Sequence, residues 1–248
     1  MSDFDLTGRR ALVTGGAGSL GTAMAEALHN AGADVCVLSR SESAVEVAAA
    51  IGPDVHGVVC DLAERADLAR GFAEAADRLG GVDILVTSHG TSRPGDALTA
   101  PIADWDATLE VNLSSVYELC RLAGAQMQAA GRGKIVNVAS MLSFFGGYRA
   151  AAYAASKGGI AQVTKALANE WAPLGINVNA IAPGYIKSRL NRHYWSDPQA
   201  HDTILQRLPA GRWGEPADLK GPVVFLASPA SDYLHGVVLP VDGGYAGR

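Results

Sequence analysis

The chain has few of the residues that build covalent or metal-bound scaffolds. Its 248 residues include three cysteines, Cys36, Cys60 and Cys120, which stand apart in apolar surroundings without a C-x-x-C spacing. The six histidines show no H-x-x-x-H spacing either. Disulfide frameworks and zinc sites depend on such spacings, so we expect buried free thiols and no metal site.

Clustered basic residues and long apolar runs are also missing. The formal net charge is −5 and no stripe of Lys and Arg is present, which argues against a nucleic-acid partner. No run approaches the roughly 18 apolar residues of a membrane span, and residues 1–10 carry charges where a secretion signal is apolar. We therefore expect a cytoplasmic protein with no membrane partner. No repeat, charge block or linker divides the chain, so one domain over 1–248 is expected.

Short β-branched runs alternate with alanine-rich stretches of helical length. The runs lie at 11–14, 35–38, 55–60, 84–86, 135–139, 176–181 and 237–241, and the helical stretches lie near 19–31, 64–79, 103–129, 151–172 and 216–227. The runs are apolar at nearly every position, which is typical of strands buried on both faces of a parallel sheet. The pattern predicts an α/β fold: a single doubly wound, Rossmann-like, seven-stranded parallel sheet that binds ligands at the carboxyl ends of its strands.

The segment 185–213 is the least regular part of the chain and is rich in aromatic residues. Such a segment within a compact domain often serves as a lid over a binding site. We interpret it as a substrate lid with exposed aromatic side chains; an oligomer contact is the alternative.

A glycine-rich loop follows the first strand and leads directly into a helical pattern. It reads Thr-Gly-Gly-Ala-Gly-Ser-Leu-Gly over 14–21, and its candidate cofactor-binding residues are Gly15, Gly18, Ser19, Leu20 and Gly21. Glycines there allow close backbone approach, so that N–H groups and a helix N-terminus face a pyrophosphate. The placement of this loop between strand and helix favours a dinucleotide cofactor.

The end of the second strand bears on the choice of cofactor. NAD enzymes usually place an acidic residue there, whereas this chain has Ser39 and Arg40. Arg40 is able to pair with a 2′-phosphate, which favours NADP. NAD remains the alternative, with Arg40 as a solvated surface charge.

A tyrosine and a lysine four residues apart, Tyr153 and Lys157, lie in an alanine-rich helical stretch and therefore share one face. A fixed cation beside a phenol favours the phenolate and lowers its pKa toward a value useful for acid/base catalysis. Ser140 follows the strand at 135–139 and is placed to donate a hydrogen bond to a carbonyl under reduction.

These motifs together resemble the short-chain dehydrogenase/reductase family over essentially the whole chain. The residues that carry the resemblance are the 14–21 loop, Cys60-Asp61-Leu62, Val111-Asn112, Ser140, Tyr153, Lys157, Pro183-Gly184 and Asp242-Gly243-Gly244. The family implies an NAD(P)-dependent enzyme that moves hydride between a nicotinamide ring and an alcohol or ketone. It implies that Tyr153 is the acid/base, Ser140 positions the substrate oxygen, Lys157 holds the ribose and lowers the pKa of Tyr153, and Asn112 links Lys157 to a proton relay through water.

The resemblance also implies further cofactor contacts. Asp61 and Leu62 are expected to border the adenine, and Pro183, Gly184, Ile186 and Ser188 to lie along the nicotinamide. Two departures from the family pattern stand out: Ser19 replaces the middle glycine of the loop, and Thr87-Ser88-His89-Gly90 replaces Asn-Asn-Ala-Gly. The first Asn of that motif braces the sheet, so its loss places local hydrogen bonding in doubt. His89 and Gly90 are candidate cofactor contacts, with a structural role for His89 as the alternative.

The second half of the chain is similar to sugar-acid dehydrogenases of the 2-deoxy-gluconate 3-dehydrogenase and gluconate 5-dehydrogenase type. A sugar acid needs a cation for its carboxylate and hydrogen-bonding groups for its hydroxyls. The candidates are Arg93, Arg149, Tyr185 and His193. The alternatives are reduction of another ketone, such as a 3-oxoacyl thioester or cyclic ketone, and a nucleotide-binding protein without chemistry. The family also implies a homo-oligomer, with a tetramer as the expected order.

Overall fold

The computed structural model describes residues 3–247, with the side chain of His193 left out. Seven parallel strands form one sheet in the order β3-β2-β1-β4-β5-β6-β7. The strands are β1 (Arg10–Thr14), β2 (Asp34–Ser39), β3 (His56–Val59), β4 (Ile84–Thr87), β5 (Gly133–Val138), β6 (Ile176–Pro183) and β7 (Val238–Val241). The predicted doubly wound, seven-stranded parallel sheet is therefore confirmed.

Helices cover the sheet on both faces because successive strand residues point to opposite sides. The helices are α1 (Ser19–Asn30), α2 (Ser43–Ile51), α3 (Arg65–Leu79), α4 (Ile102–Leu109), α5 (Ser115–Ala130), α6 (Ala151–Trp171), α7 (Arg192–Trp195), α8 (Pro198–Leu205) and α9 (Lys220–Ala227). Leu12 packs in the core that includes α3, α5 and α6, whereas its neighbour Val13 packs in the core that includes α1, α2 and α9. Within residues 3–247, no helix is long and apolar enough to cross a membrane.

The predicted element pattern needs correction at three points. The stretch 103–129 is not one helix, because a π-helical turn at Glu110–Ser114 separates α4 from α5. Helix α2 was not predicted at all; it is short and its β-branched valines weaken the helical signal. The segment 185–213 contains α7 and α8, and its Trp213 is buried in the core rather than exposed.

The three cysteines are buried free thiols, as the sequence predicts. Burial raises the pKa of the Cys36 and Cys120 thiols to about 12 and that of Cys60 to about 11. Thiols protonated in this way are poor nucleophiles, so these residues serve packing.

The expected loss of the sheet brace does not occur. The hydroxyl of Thr87 donates to Asn137 Oδ1 on β5 at 2.8 Å, and Asn137 Nδ2 donates to the hydroxyl of Thr164 on α6 at 3.0 Å. All three side chains are fully buried. A threonine thus ties the carboxyl end of β4 to its neighbours in place of the family's asparagine.

At the opposite end of the sheet, Asp83 holds the start of β1 beside β4. Its carboxylate is 3% exposed and accepts bonds from Arg10 Nε at 2.7 Å and Nη2 at 3.0 Å. Burial opposes its ionisation, but the bonds from Arg10 and the charges of Arg10 and Arg132 outweigh it and lower the pKa of Asp83.

We expect Asp83→Ala to lower the free energy of unfolding at pH 7 by about 3 kcal/mol, because Arg10 then lies half-buried without a partner. Since the folded-state pKa lies below the unfolded value of about 3.9, the wild-type contribution is complete above that value and declines as pH falls through the folded-state pKa. Urea unfolding at pH 7 and at pH 3 measures both effects. Glu74→Gln, which breaks only exposed pairs, is the control and is expected to change stability by less than about 1 kcal/mol. An equal effect of both substitutions would contradict this account.

Candidate active site

A cleft of about 650 Å³ opens at the carboxyl ends of the strands. This volume is within the range of ligand-binding pockets. Its lining residues are Gly15, Ala17, Gly18, Ser19, Leu20, Gly21, Ser39, Arg40, Ser41, Ser43, Ser88, His89, Gly90, Val138, Ala139, Ser140, Tyr153, Lys157, Pro183, Gly184, Ile186, Ser188, Arg189, Leu190 and Asn191. The cleft lies where β1 and β4 are neighbours and the crossovers reverse direction, as expected for this fold.

The glycine loop forms one wall of the cleft. Gly15 has φ +62°, and a Cβ atom there would lie 2.6 Å from the backbone of His89. Helix α1 begins at Ser19 without a side-chain cap, so the N–H groups of its first turn face the cleft without an intrahelical partner. The hydroxyl of Thr22 donates to Gly16 O at 2.8 Å and fixes the loop from behind. This narrow cradle fits the pyrophosphate of a dinucleotide, and Ser19 is accommodated as the first residue of the helix.

Four polar residues at and after the end of β2 line the cleft. Ser39 and Arg40 lie where the sequence places them, and the structure adds Ser41 and Ser43. The hydroxyls of Ser41 and Ser43 lie 2.6 Å apart, and Arg40 is exposed. The two serines were missed because they belong to the turn into α2, which was itself not predicted.

Ser140, Tyr153 and Lys157 meet at the other end of the cleft. Ser140 follows β5 and starts a short 3-10 turn, where its hydroxyl accepts from Leu142 N at 3.2 Å and is hydrogen-bonded to Tyr153. The hydroxyl of Ser143 donates to Lys157 O at 2.7 Å and so attaches this turn to α6. The tyrosine and lysine share one face of α6, with Lys157 Nζ 5.8 Å from the centre of the Tyr153 ring.

Burial dominates the electrostatics of this group. Burial raises the pKa of the Tyr153 phenol, and the bond from Ser140 opposes that rise. Burial also lowers the pKa of Lys157 to about 8. Lys157 Nζ donates to Val138 O at 2.6 Å. The expected lowering of the Tyr153 pKa by Lys157 stays a prediction.

Asn112 lies in the π-helical turn between α4 and α5 and is fully buried. Its side chain accepts from Thr91 N at 2.8 Å and donates to Thr91 O at 2.9 Å. A Cβ atom added to Gly90 would lie 3.3 Å from Asn112 Oδ1 and 3.9 Å from Lys157 Nζ, so both side chains border the same small space. Irregular turns of this kind are frequent at functional sites.

His89 lines the cleft but is tied on both sides by buried hydroxyls. Its Nδ1 lies 2.6 Å from Thr14 Oγ1, and its Nε2 lies 2.8 Å from Ser115 Oγ. Burial, reinforced by the charge of Lys157, lowers the pKa of His89 to about 3. The structural alternative for His89 therefore has direct geometric support, while a ribose contact stays a prediction.

The segment after β6 forms the outer wall. Pro183, Gly184, Ile186 and Ser188 all line the cleft, as the sequence predicts. The hydroxyl of Ser188 donates to Asn191 Oδ1 at 3.0 Å, and Asn191 Nδ2 donates to Ile186 O at 2.7 Å. Asn191 and the adjoining Arg189 and Leu190 were not singled out, because they belong to no motif that the sequence displays.

Asp61 and Leu62 lie away from this lining. The Asp61 carboxylate accepts from Ala63 N at 3.0 Å in the turn before α3, and Leu62 is buried in the core beside the sheet. A contact with adenine is therefore not seen in the cleft wall and stays a prediction.

Of the predicted substrate residues whose side chains are described, Arg93, Arg149 and Tyr185 do not line the cleft. Arg93 pairs with Asp104 at 2.8 Å, and Arg149 is exposed with φ +54°, its carbonyl accepting from Gly95 N. Tyr185 packs edge-on against Trp213 and Tyr245. The side chain of His193 lies outside the described part of the chain. A substrate role for these residues stays a prediction.

Comparison with known proteins settles the family. The profile described as enoyl-(acyl carrier protein) reductase matches residues 15–246. The 2-dehydro-3-deoxy-D-gluconate 5-dehydrogenases of Escherichia coli K12 and Bacillus subtilis 168 are 43% and 42% identical, and the alignments cover at least 97% of each chain. The chain belongs to the short-chain dehydrogenase/reductase family. It is an NAD(P)-dependent oxidoreductase, as the resemblance implies.

A solved structure supports the same assignment. The gluconate 5-dehydrogenase of Burkholderia cenocepacia J2315, in complex with NADP and tartrate, superposes with a TM-score of 0.95. It is 38% identical in sequence and matches 99% of this chain and 98% of its own. The similarity therefore includes the whole sheet and the cleft, not the nucleotide-binding half alone.

Proposed function

We propose that this protein oxidises a secondary alcohol of a sugar acid, or reduces the corresponding ketone, with NADP as the preferred cofactor. The observation that carries the proposal is the meeting of Ser140, Tyr153 and Lys157 at one end of a cleft whose other wall is a glycine loop. The named relatives act on 2-dehydro-3-deoxy-D-gluconate, which supports an acidic sugar.

Each residue at this end of the cleft has a distinct chemical role. When bound, the nicotinamide supplies or accepts the hydride. In the reductive direction the Tyr153 phenol donates its proton to the substrate oxygen. Ser140 donates a hydrogen bond that stabilises developing charge on that oxygen. The Lys157 ammonium stabilises the phenolate that remains, and Asn112 holds the backbone of Thr91 at the edge of this space.

We expect Tyr153→Phe to lower kcat by about 10²–10⁴-fold, because the ring is retained while the proton donor is lost. The dissociation constant of the reduced cofactor, measured by nicotinamide fluorescence, is expected to change less than about threefold. Tyr233→Phe, which removes the hydroxyl of a side chain 99% exposed, is the matched control and keeps wild-type kcat. Turnover by Tyr153→Phe at the wild-type rate would refute the proposed role.

Arg40 is the residue we propose for recognition of the 2′-phosphate. It lines the cleft after β2 together with Ser39, Ser41 and Ser43, and no acidic side chain of the described residues forms an ion pair with it. A guanidinium with neighbouring hydroxyls is a donor set suited to a phosphate. The bound NADP of the Burkholderia cenocepacia enzyme is consistent with this preference.

Arg40→Ala is expected to raise KM for NADP by about 10–100-fold, the effect of losing charge-assisted hydrogen bonds. KM for NAD is expected to change little, because NAD has no 2′-phosphate. Steady-state kinetics with both cofactors at saturating substrate measures the ratio. A parallel rise in both KM values, or a wild-type preference for NAD, would contradict the assignment.

Arg189 is the residue we propose for the carboxylate of the substrate. It lines the cleft directly after Ser188, and within the described residues its guanidinium has no acidic partner. Arg93, by contrast, is already neutralised by Asp104. A guanidinium in the lining of the cleft without an acidic partner is therefore the better candidate for the carboxylate.

We expect Arg189→Gln to raise KM for an aldonic acid by about 10-fold or more while KM for the matching neutral polyol is unchanged. Gluconate and glucitol form such a pair, and reduced-nicotinamide absorbance follows turnover. A higher KM for the cofactor, with no discrimination between acid and polyol, would place Arg189 on the pyrophosphate instead. Turnover confined to a 3-oxoacyl thioester or a cyclic ketone would overturn the sugar-acid assignment.

We also propose that the segment 185–213 covers the bound substrate. The segment carries Arg189 and packs through Trp195, whose Nε1 donates to Ser188 O at 3.0 Å.

We propose as well that the protein assembles as a homotetramer. Exposed apolar side chains on α4 and α5, Ile102 and Tyr117, are consistent with burial between copies. Sedimentation equilibrium measures the oligomeric order directly, and a monomer would refute the assembly.

A further inference from the structure

His89 occupies a position where the resembled motif has alanine, and it makes two hydrogen bonds that an alanine lacks. The imidazole is 9% exposed and lies between the hydroxyls of Thr14 and Ser115, at 2.6 Å and 2.8 Å. Both hydroxyl-bearing residues are themselves buried. Buried polar groups need partners, so the three side chains form a unit in which each depends on the others.

The partners of Ser115 set the direction of these bonds. Its hydroxyl donates to Val111 O at 2.7 Å, so Ser115 Oγ accepts from Nε2–H of His89. Nδ1 then carries no proton and accepts from the hydroxyl of Thr14 at 2.6 Å, a much shorter contact than the 3.4 Å from the same hydroxyl to Val86 O. This arrangement needs a neutral imidazole, and the lowered pKa of His89 agrees with it.

The two bonds reach the two halves of the cleft. Thr14 is the last residue of β1 and precedes Gly15, whose backbone lies against that of His89. Ser115 is the first residue of α5 and follows the π-helical turn that carries Asn112. Asn112 in turn holds Thr91, two residues beyond His89. The His89 side chain therefore contacts the glycine loop through Thr14, and through Ser115 it contacts the segment that follows the Asn112 turn.

We propose that His89 is a positioning residue that sets the glycine loop through Thr14 and the Asn112 turn through Ser115. It touches neither substrate nor hydride in this role. The turnover part of the proposal rests on the proposed function, whereas the cofactor-affinity part does not. Each of the two hydrogen bonds can be removed without the other. Cofactor affinity and kcat can therefore be tested separately.

Thr14→Val and Ser115→Ala each remove one bond and leave the imidazole in place. We expect Thr14→Val to raise the dissociation constant of NADPH about 10-fold, measured by fluorescence, with kcat at saturating cofactor within about twofold of wild type. We expect Ser115→Ala to lower kcat about 10-fold with the dissociation constant nearly unchanged. Equal changes in both constants for both variants would overturn the proposal.

His89 itself is tested by graded replacement. His89→Ala is expected to impair both constants. His89→Asn reproduces the Nδ1 side and is expected to restore cofactor affinity, whereas His89→Gln reproduces the Nε2 side and is expected to restore kcat. If His89→Ala does not fold, the Thr14 and Ser115 variants still decide the matter. Failure of both conservative variants to restore either constant would overturn the proposal.

Thr87→Val is the control for a general loss of packing. Thr87 is as buried as Thr14 and makes a comparable bond to Asn137, but it does not contact His89. We expect it to lower Tm by an amount similar to Thr14→Val while kcat and the NADPH dissociation constant stay within about twofold of wild type. If Thr87→Val lowered kcat and NADPH affinity as much as the Thr14 and Ser115 variants do, His89 would act only through stability and the proposal would be overturned.

A spectroscopic measurement tests the protonation state independently of turnover. Long-range ¹H–¹⁵N correlation spectra at pH 7, with the His89 signals assigned from their loss in His89→Gln, are expected to show a neutral ring protonated at Nε2. An imidazolium, or a ring protonated at Nδ1, would overturn the proposal. If the wild-type enzyme does not turn over sugar acids, the proposed function fails, but these spectra and the NADPH titrations still test His89.

Discussion

Gly15 and His89 lie against each other where β1 and β4 end, at the centre of the sheet. A side chain at position 15 would overlap the backbone of residue 89, and the positive φ of Gly15 turns the chain away from the strand at the same point. This close approach forms the floor of the cleft and leaves room for a pyrophosphate above it. The loop, the start of α1 and the segment after β4 all take their positions from that contact.

The catalytic end of the cleft depends on a second constraint. Its polar groups are buried, so they have few hydrogen-bond partners other than one another. Lys157 is 4% exposed and bonds to the carbonyl of Val138, while Ser140 bonds to Tyr153. Low exposure strengthens these interactions and also opposes charge, which raises the pKa of the phenol and lowers that of the ammonium. In this state the Tyr153 phenol is therefore protonated at neutral pH.

Neighbouring residues replace family features without changing the architecture. Thr87 takes over the brace to Asn137, and His89 links Thr14 to Ser115 where the resembled motif has only a methyl group. Both changes keep buried hydrogen-bonding groups paired, which is the condition for tolerating them. Substitutions of this kind alter how the site is supported and leave the overall chain path intact.

The sequence by itself determined the strand pattern, the glycine loop and the spacing of Tyr153 and Lys157, because these depend on local periodicity and on residues close in the chain. It did not determine the π-helical turn at Asn112, the environment of Arg189 or the two partners of His89. Thr14 and Ser115 are 75 and 26 residues from His89 along the chain. Which hydroxyl reaches which ring nitrogen, and which of the described arginines lack an acidic partner, follows only from the packing of distant segments. Only the tertiary structure decides such contacts, because burial and hydrogen-bond pairing depend on residues that are distant in the sequence and adjacent in the fold.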